Sequence, residues 1–340
     1  MGSGSSAAHE VRLETTISYL VFIEAIGGLA LLLFAADFLV RGGVALARLS
    51  GVSPLIIGLS IIAIGTSAPE FVTALAAALA GASDMAIGNV VGSNNVNALL
   101  ILGIAALIRP INVATKTVAR DAMMVLGATA LFVAIGLTGG YNQWHGAVLV
   151  SCLIGYLLLT YRSEKANNNE AALHEREVED IGGVPSRGSI AGVYLIGGLI
   201  GIVVGAEFLV RGGLGIAEMF EVPRAVIGLT LIAVGTSLPE LAIVIVASWR
   251  GHSDIALGNV LGSNTFNLLG ITGGVSLITP LKMPVEVMNF DIWVLLGVTV
   301  LLLPMMLTDN RISRLEGQLL IGLYVAYLAA QLDPVRQLFS

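Results

Sequence analysis

Two short polar motifs each occur twice in this chain, and their residue types suit the binding of a cation. The first is Gly65-Thr-Ser-Ala-Pro-Glu70, which matches Gly235-Thr-Ser-Leu-Pro-Glu240, and the second is Gly88-Asn-Val-Val-Gly-Ser-Asn94, which matches Gly258-Asn-Val-Leu-Gly-Ser-Asn264. Their carboxylate, hydroxyl and amide oxygens are hard ligands, which favour Na⁺, Ca²⁺, Mg²⁺ or Mn²⁺ over Zn²⁺ or Cu⁺. Because Ca²⁺ accepts many flexible oxygen ligands whereas Mg²⁺ keeps its waters, a cage made of protein oxygens favours Ca²⁺.

The proline of the first motif predicts a broken helix in each copy. Pro69 and Pro239 lack an N–H group, and their rings clash with the carbonyl four residues earlier. We expect each proline to take the first position of a new half-helix, with Glu70 and Glu240 at the second, where the positive helix end favours a carboxylate. The alternative is a pair of proline kinks whose glutamates are protonated and bonded to neighbouring helices. An ionisable group at the centre of a bilayer costs about 2.5–3.5 kcal/mol, so two at equivalent positions indicate function.

Polar residues at four-residue spacing share one helix face in each copy of the second motif. They are Asn89, Ser93 and Asn97 in the first copy and Asn259, Ser263 and Asn267 in the second. We interpret the serines with Asn97 and Asn267 as completing a cation cage opposite the broken helices. The alternative is hydrogen bonding that only joins helices, and it suits Asn89 and Asn259 better because they lie nearer the helix start.

The composition indicates a polytopic membrane protein. The chain is 56% hydrophobic and 12% charged, whereas soluble proteins carry about 25% charged residues. A net charge of −6 provides no basic surface for nucleic acid, and one cysteine, Cys152, excludes an internal disulfide. The first residues, Met1 to Ser6, resemble an expression tag and lack the features of a signal peptide.

The apolar segments predict about ten transmembrane helices, of which the second, third, seventh and eighth are interrupted by the polar motifs. The predicted spans are 17–45, 53–80, 84–108, 118–138, 145–162, 189–217, 223–249, 254–279, 289–308 and 316–333. Residues 38–110 and 208–280 align without a gap at an offset of 170. The expected division is a tail or tag at 1–16, a five-helix repeat at 17–162, a linker at 163–188 and a second repeat at 189–340. Because five is odd, the second repeat enters the membrane upside down, as in many secondary transporters.

The distribution of positive charge predicts the orientation. Most of the 17 Lys and Arg residues fall in the loops that would be cytoplasmic if the N-terminus lay outside, so we expect both termini outside and 163–188 in the cytoplasm. We also expect ion pairs at four-residue spacing, between Asp37 and Arg41 and between Glu207 and Arg211.

Other classes of protein fit these motifs less well. A phosphate-binding Gly-x4-Gly-Lys-Ser/Thr loop is missing, which argues against direct drive by ATP. No Gly-x-Gly-Asp, His-Glu-x-x-His or Ser/His pairing supports an intramembrane enzyme. A passive cation channel remains a remote alternative, since a pore does not need an inverted repeat.

The paired motifs resemble the α-repeats of the calcium/cation antiporter superfamily, and most closely those of its prokaryotic sodium/calcium exchangers. The resemblance implies that helices two, three, seven and eight enclose the ions while helices one and six slide across them. It also implies a ligand set of twelve residues, with the two alanines contributing carbonyl oxygens. They are Ala63, Thr66, Ser67, Glu70, Ser93, Asn97, Ala233, Thr236, Ser237, Glu240, Ser263 and Asn267.

On this resemblance we expect an antiporter of the plasma or inner membrane that exchanges Ca²⁺ for several Na⁺, without a cofactor and as a monomer. Exchange of Ca²⁺ or another divalent cation for H⁺ is the alternative. Some family members carry an acidic residue where Asn267 stands, and potassium-dependent members use Asp in this region. Asn267 therefore argues against potassium dependence. The short 163–188 segment has no room for a calcium-sensing domain.

Overall fold

A computed structural model describes residues 3–113, 116–165, 185, 187–220, 235–307 and 311–331. Almost all of these residues are helical, which confirms the predicted all-α class. The α-helices are α1 (Ser3–Ser50), α2 (Pro54–Ile57), α3 (Ala63–Thr66), α4 (Ala68–Leu79), α5 (Ser83–Asn95), α6 (Leu102–Ile108), α7 (Lys116–Gly136), α8 (Gln143–Lys165), α9 (Gly188–Met219), α10 (Leu238–Arg250), α11 (Ser253–Thr265), α12 (Thr272–Ile278), α13 (Ile292–Leu307) and α14 (Arg314–Ala330). Four wider turns in the described ranges are π-helical: π1 (Gly58–Ile62), π2 (Val96–Ile101), π3 (Phe266–Ile271) and π4 (Val287–Asp291). The strands of the described part have two residues each: β1 (Ile111–Asn112), β2 (Gly140–Tyr141), β3 (Leu281–Lys282) and β4 (Arg311–Ile312).

Five helical segments in the described ranges are long and apolar enough to cross a membrane. They are Tyr19–Ser50, Ser83–Ile108, Gln143–Arg162, Gly188–Ala217 and Val287–Leu307. A sixth is formed if Pro54–Thr66 and Ala68–Leu79, which meet at 43°, make one broken span. The predicted number of ten is not confirmed. Helices α10 and α14 have 13 and 17 residues, fewer than the roughly 20 that a span needs, and residues 221–234 before α10 lie outside the description.

The duplicated sequence folds into a duplicated set of elements whose contacts cross between the halves. Helix α5, π2 and α6 recur as α11, π3 and α12. Strand β1 pairs with β4, while β2 pairs with β3, both antiparallel. On α7 and α13, the hydroxyls of Thr129 and Thr299 are 3.5 Å apart although the residues are 170 positions apart. The two halves therefore interlock rather than forming separate domains.

The long helices α1 and α9 pack against each other at glycines. A Cβ atom added to Gly28 would lie 2.4 Å from the backbone nitrogen of Leu209, and one added to Gly198 would lie 2.8 Å from that of Leu39. Because no side chain separates the backbones at these positions, the helices approach as closely as small residues allow. Gly28 and Gly198 are equivalent in the two halves, so the contact follows the same symmetry.

Helix α1 is also joined to α10 by charge. Arg41 lies 2.8 Å from Asp37, which confirms that predicted pair, and the second pair is confirmed by a distance of 2.7 Å between Arg211 and Glu207. Asp37 additionally pairs with Arg250 at the end of α10, a contact that spacing along one helix does not predict. The second half lacks an equivalent, because position 80 holds alanine where the repeat has Arg250.

Candidate cation-binding site

The first Pro-Glu motif breaks its helix, as predicted, and in both copies the half-helix that carries the glutamate begins one residue earlier than expected. Ser67 leaves the helical conformation (φ −85°, ψ 7°), and Ser237 does the same (φ −89°, ψ 7°). Helices α4 and α10 then begin at the residue before each proline, so Glu70 and Glu240 take the third position. Proline is tolerated at the second position because first-turn N–H groups have no acceptor within the helix.

The two carboxylates are buried at the breaks. Glu70 is 1% exposed and Glu240 is 0% exposed. Ser67 donates a hydrogen bond of 2.9 Å to Oε1 of Glu240, and Ser263 donates one of 3.4 Å to the same oxygen. The serine of the first break thus contacts the glutamate of the second, which brings the two motifs together. In the described ranges, no ion pair involves either carboxylate.

Several predicted ligands retain buried oxygen atoms that bond to nothing in the described part of the chain. These are both carboxylate oxygens of Glu70, Oε2 of Glu240, Oγ of Ser237 and the Oδ1 atoms of Asn97 and Asn267. Buried polar atoms are nearly always hydrogen-bonded in proteins, and leaving one unsatisfied costs about 1–3 kcal/mol. Six such oxygens, two of them on one carboxylate, form a set that a cation would satisfy.

The remaining predicted ligands differ in how deeply they are buried. Thr66 Oγ1 lies 3.3 Å from the carbonyl oxygen of Ala63, and both residues are buried. Ser93 is 3% exposed on α5, whereas Thr236 is partly exposed at the second break. Ala233 lies outside the described residues. In the described part of the chain, no three His, Cys, Asp or Glu side chains lie close enough together to hold a metal ion. Hydroxyl, amide and carbonyl oxygens would therefore have to complete any coordination shell.

Asn89 and Asn259 join helices. Asn89 donates a hydrogen bond of 3.2 Å to the backbone carbonyl of Glu70, and Oδ1 of Asn259 accepts one of 3.3 Å from Thr66. Each asparagine thereby holds its helix against the broken helix beside it. For these two residues the helix-joining interpretation is supported over direct binding.

Sequence reasoning missed two features of the site. The first is that Asn97 and Asn267 lie in the π-helical turns π2 and π3, which often occur at functional sites. The second is a set of buried asparagines beside the predicted ligands: Asn94, Asn95 and Asn264. Asn94 and Asn264 end the two copies of the Gly-Ser-Asn motif and Asn95 follows the first copy directly, which was the available signal, but four-residue spacing assigned the binding face to other positions.

A cavity of about 360 Å³ extends from the site along α4, α5 and α14. Its wall includes Ser93 and Thr236 at the site and Tyr324, Tyr327 and Gln331 on and beyond α14. Hydroxyl and amide groups thus continue from the predicted ligands toward the end of α14. The arrangement suits the binding of a cation between two carboxylates, and the cavity, whose wall is mostly apolar, reaches two of the predicted ligands.

Comparison with known proteins gives concordant matches over most of the chain. The family described as sodium/calcium exchanger protein matches residues 20–162 and 190–332. The chain is 36% identical to the putative antiporter CaxA of Alkalimonas amylolytica, over 88% of this chain and 95% of that protein. It is 33% identical to the sodium/calcium exchanger MaX1 of Methanosarcina acetivorans, over 92% and 98%. A solved structure of the sodium-calcium exchanger NCX_Mj, soaked with 10 mM Na⁺ and 10 mM Sr²⁺, superposes with a TM-score of 0.80 at 34% identity, covering 92% of this chain and 99% of that one.

Proposed function

The chain belongs to the sodium/calcium exchanger protein family, and on that premise we propose that it is an antiporter that exchanges Ca²⁺ for Na⁺ across the cell membrane. The cation would bind between Glu70 and Glu240, one carboxylate from each half. The observation that carries this proposal is the set of buried oxygens at and near the two breaks that have no hydrogen-bond partner in the described part of the chain. A structural role alone gives no reason to bury a carboxylate whose two oxygens accept no hydrogen bond from the described residues.

The proposed ligand set is the twelve predicted residues, which share hard oxygen chemistry. Two carboxylates balance the charge of one Ca²⁺, while serine, threonine and asparagine oxygens complete its shell at distances of about 2.3–2.6 Å. Na⁺ ions would use the same oxygens. Because both ions need Glu70 and Glu240, the arrival of one favours release of the other, and this competition couples their movements.

The proposed architecture is two inverted five-helix repeats with ten spans, joined by a cytoplasmic linker at 163–188. Three features support it: the recurrence of elements at an offset of 170, the crossed pairing of β1 with β4 and β2 with β3, and the family match in two segments of similar length. The excess of Lys and Arg in alternate loops supports an orientation with both termini outside. We propose that one chain is sufficient for transport, since both carboxylates come from the same chain.

Alternating access would come from movement of α1 and α9 across the site. Their glycine contacts allow the two helices to move as one unit. Leu199 on α9 lies over Gly65, and Val210 lies over Gly235, so that Cβ atoms added to these glycines would fall 2.5 and 3.0 Å from the two side chains. Apolar contacts of this kind do not fix one register by hydrogen bonding. In the proposed orientation, the cavity along α14 would be the outer approach to the site.

The deciding experiment is uptake of radioactive Ca²⁺ into proteoliposomes. We expect an outward Na⁺ gradient to drive uptake, and a membrane potential to change its rate because an unequal exchange moves net charge, worth about 2.3 kcal/mol per charge per 100 mV. Uptake that does not depend on the Na⁺ gradient but is driven by a pH gradient would refute Na⁺ coupling and favour exchange for H⁺. Steady single-channel currents in a planar bilayer would instead indicate a passive channel.

A further inference from the structure

The amide groups of Asn97 and Asn267 have different surroundings although the two residues are equivalent in the two halves. Both are fully buried. The Nδ2 atom of Asn97 donates a hydrogen bond of 3.1 Å to Oδ1 of Asn264, which leaves Oδ1 of Asn97 without a partner in the described ranges. Neither amide atom of Asn267 has a partner there. The repeat symmetry is therefore broken at this pair.

A backbone carbonyl fixes the orientation of two amide groups, those of Asn97 and Asn264. The Nδ2 atom of Asn264 donates a hydrogen bond of 3.3 Å to the carbonyl oxygen of Asn94. A carbonyl can only accept, so the NH₂ group of Asn264 must face it and Oδ1 of Asn264 must face the other way. That oxygen is also only an acceptor. Asn97 must therefore present its NH₂ group to Asn264, and its own oxygen points away.

The orientation of an amide decides whether it can bind a cation. The oxygen end is a ligand, whereas the NH₂ end carries partial positive charge and would repel the ion. The two ends have nearly the same shape, so packing alone does not choose between them. We propose that Asn264 is a positioning residue that holds the amide of Asn97 with Oδ1 toward the transported cation. This inference rests on the proposed function.

The second half has no such constraint among the described residues. Asn94, the equivalent of Asn264, donates its hydrogen bond of 2.7 Å to the carbonyl of Val90 within its own helix and makes no hydrogen bond with Asn267. Asn267 is thus oriented by the bound ion itself. The first half supplies a preset amide ligand, and the second half supplies an adaptable one.

The test is a set of Ca²⁺ affinities measured on the full-length purified protein. We expect Asn264→Ala to weaken Ca²⁺ binding by about 3- to 10-fold, the worth of a typical hydrogen bond. Because Asn264 acts through Asn97, the Asn97→Ala/Asn264→Ala double variant should bind as weakly as the weaker single variant and no more weakly. The matched control is the repeat-equivalent pair, Asn94→Ala and Asn267→Ala, whose fold-changes should multiply.

A second background keeps the hydrogen-bond acceptor and guards against a folding defect. Asn264→Asp retains an oxygen that can accept from Asn97, so adding Asn97→Ala to it should weaken binding by the same factor as in the unaltered protein. In the Asn264→Ala background that factor should be smaller, reduced by the fold-change that Asn264→Ala causes alone. Comparing factors within each background removes any direct effect of the new charge.

Two results would overturn the positioning role: an unchanged Ca²⁺ affinity in Asn264→Ala, or fold-changes that multiply in the Asn97/Asn264 double variant. In the aspartate background, a factor near one for Asn97→Ala would contradict it as well. Failure of the proposed function looks different, because the unaltered protein would then bind no Ca²⁺ or would bind it equally well after Glu240→Gln.

Discussion

Replacing Glu70 by Gln should weaken Ca²⁺ binding far more than Na⁺ binding. Glu70 is 1% exposed and both of its carboxylate oxygens lack partners in the described ranges, so the bound ion would be its main source of stabilisation. Glutamine keeps the shape of the side chain and removes its charge. The substitution therefore tests the electrostatic part of binding with little change in packing.

The expected size follows from Coulomb's law. Two unit charges 4 Å apart interact by about 4 kcal/mol at an effective dielectric constant of about 20, and a divalent ion doubles that value. Solvent and protein relaxation reduce it, and breaking a buried charge pair costs about 3–5 kcal/mol in practice. Since every 1.4 kcal/mol is about tenfold, Ca²⁺ binding should weaken by about 10²- to 10⁴-fold. Na⁺, with half the charge, should lose about half the free energy, or roughly 10- to 100-fold.

The assay is equilibrium binding of radioactive Ca²⁺, with Na⁺ affinity obtained by competition on the same protein. Glu207→Gln is the control, because Glu207 is 60% exposed and paired with Arg211, and it should change either affinity by less than about twofold. A thermal melt should show Glu70→Gln to be at least as stable as the unaltered protein, since it removes an uncompensated buried charge. Equal fold-losses for Ca²⁺ and Na⁺ would refute the reasoning, because a charge interaction must scale with the charge of the ion.

Two further substitutions probe the contacts around this site. Ser67→Ala should weaken Ca²⁺ binding by about 10- to 100-fold, since a hydrogen bond to a charged group is worth about 1.5–3 kcal/mol. Ser237→Ala should weaken it less, because Ser237 Oγ has no hydrogen-bond partner in the described part of the chain. Equal losses of Ca²⁺ affinity in isothermal titration would argue against the Ser67–Glu240 bond. Arg250→Ala removes the ion pair between α10 and α1, and a partly exposed pair of this kind contributes at most about 1 kcal/mol. The maximal exchange rate in proteoliposomes should therefore change by up to about fivefold, while the Ca²⁺ affinity stays unchanged. Arg211→Ala, which breaks a pair within one helix, should leave both unchanged, and a matching rate change there would contradict a role for the α1–α10 contact.

The sequence was sufficient to predict the helix breaks and their buried carboxylates, because the responsible physics is local. A proline within a helix removes a backbone hydrogen bond whatever the surrounding structure, and a glutamate kept in an apolar segment must meet a compensating partner. The predicted starts of α4 and α10 were each one residue too late. First-turn N–H groups tolerate proline at either of the first two positions, so local rules did not distinguish them.

The features that sequence reasoning did not reach depend on contacts between distant residues. The bond from Asn97 to Asn264 joins positions 167 apart, and the ion pair between Asp37 and Arg250 joins two helices that no local pattern brings together. The π-helical turn at Asn97 likewise has no signature in a pattern read at α-helical spacing. Each of these features arises when the two halves of the chain pack together. Aligning the two copies of the repeat does not show which residues of one half contact the other.

The central claim is that one cation is bound jointly by a carboxylate from each half of the chain, and a crystal structure soaked with Ca²⁺ or Sr²⁺ tests it most directly. We predict one divalent ion between Glu70 and Glu240, with oxygens of both residues within about 2.3–2.6 Å for Ca²⁺ and Oδ1 of Asn97 directed at the site. An ion bound by only one of the two glutamates, or bound elsewhere while both carboxylates stay unliganded, would contradict the claim.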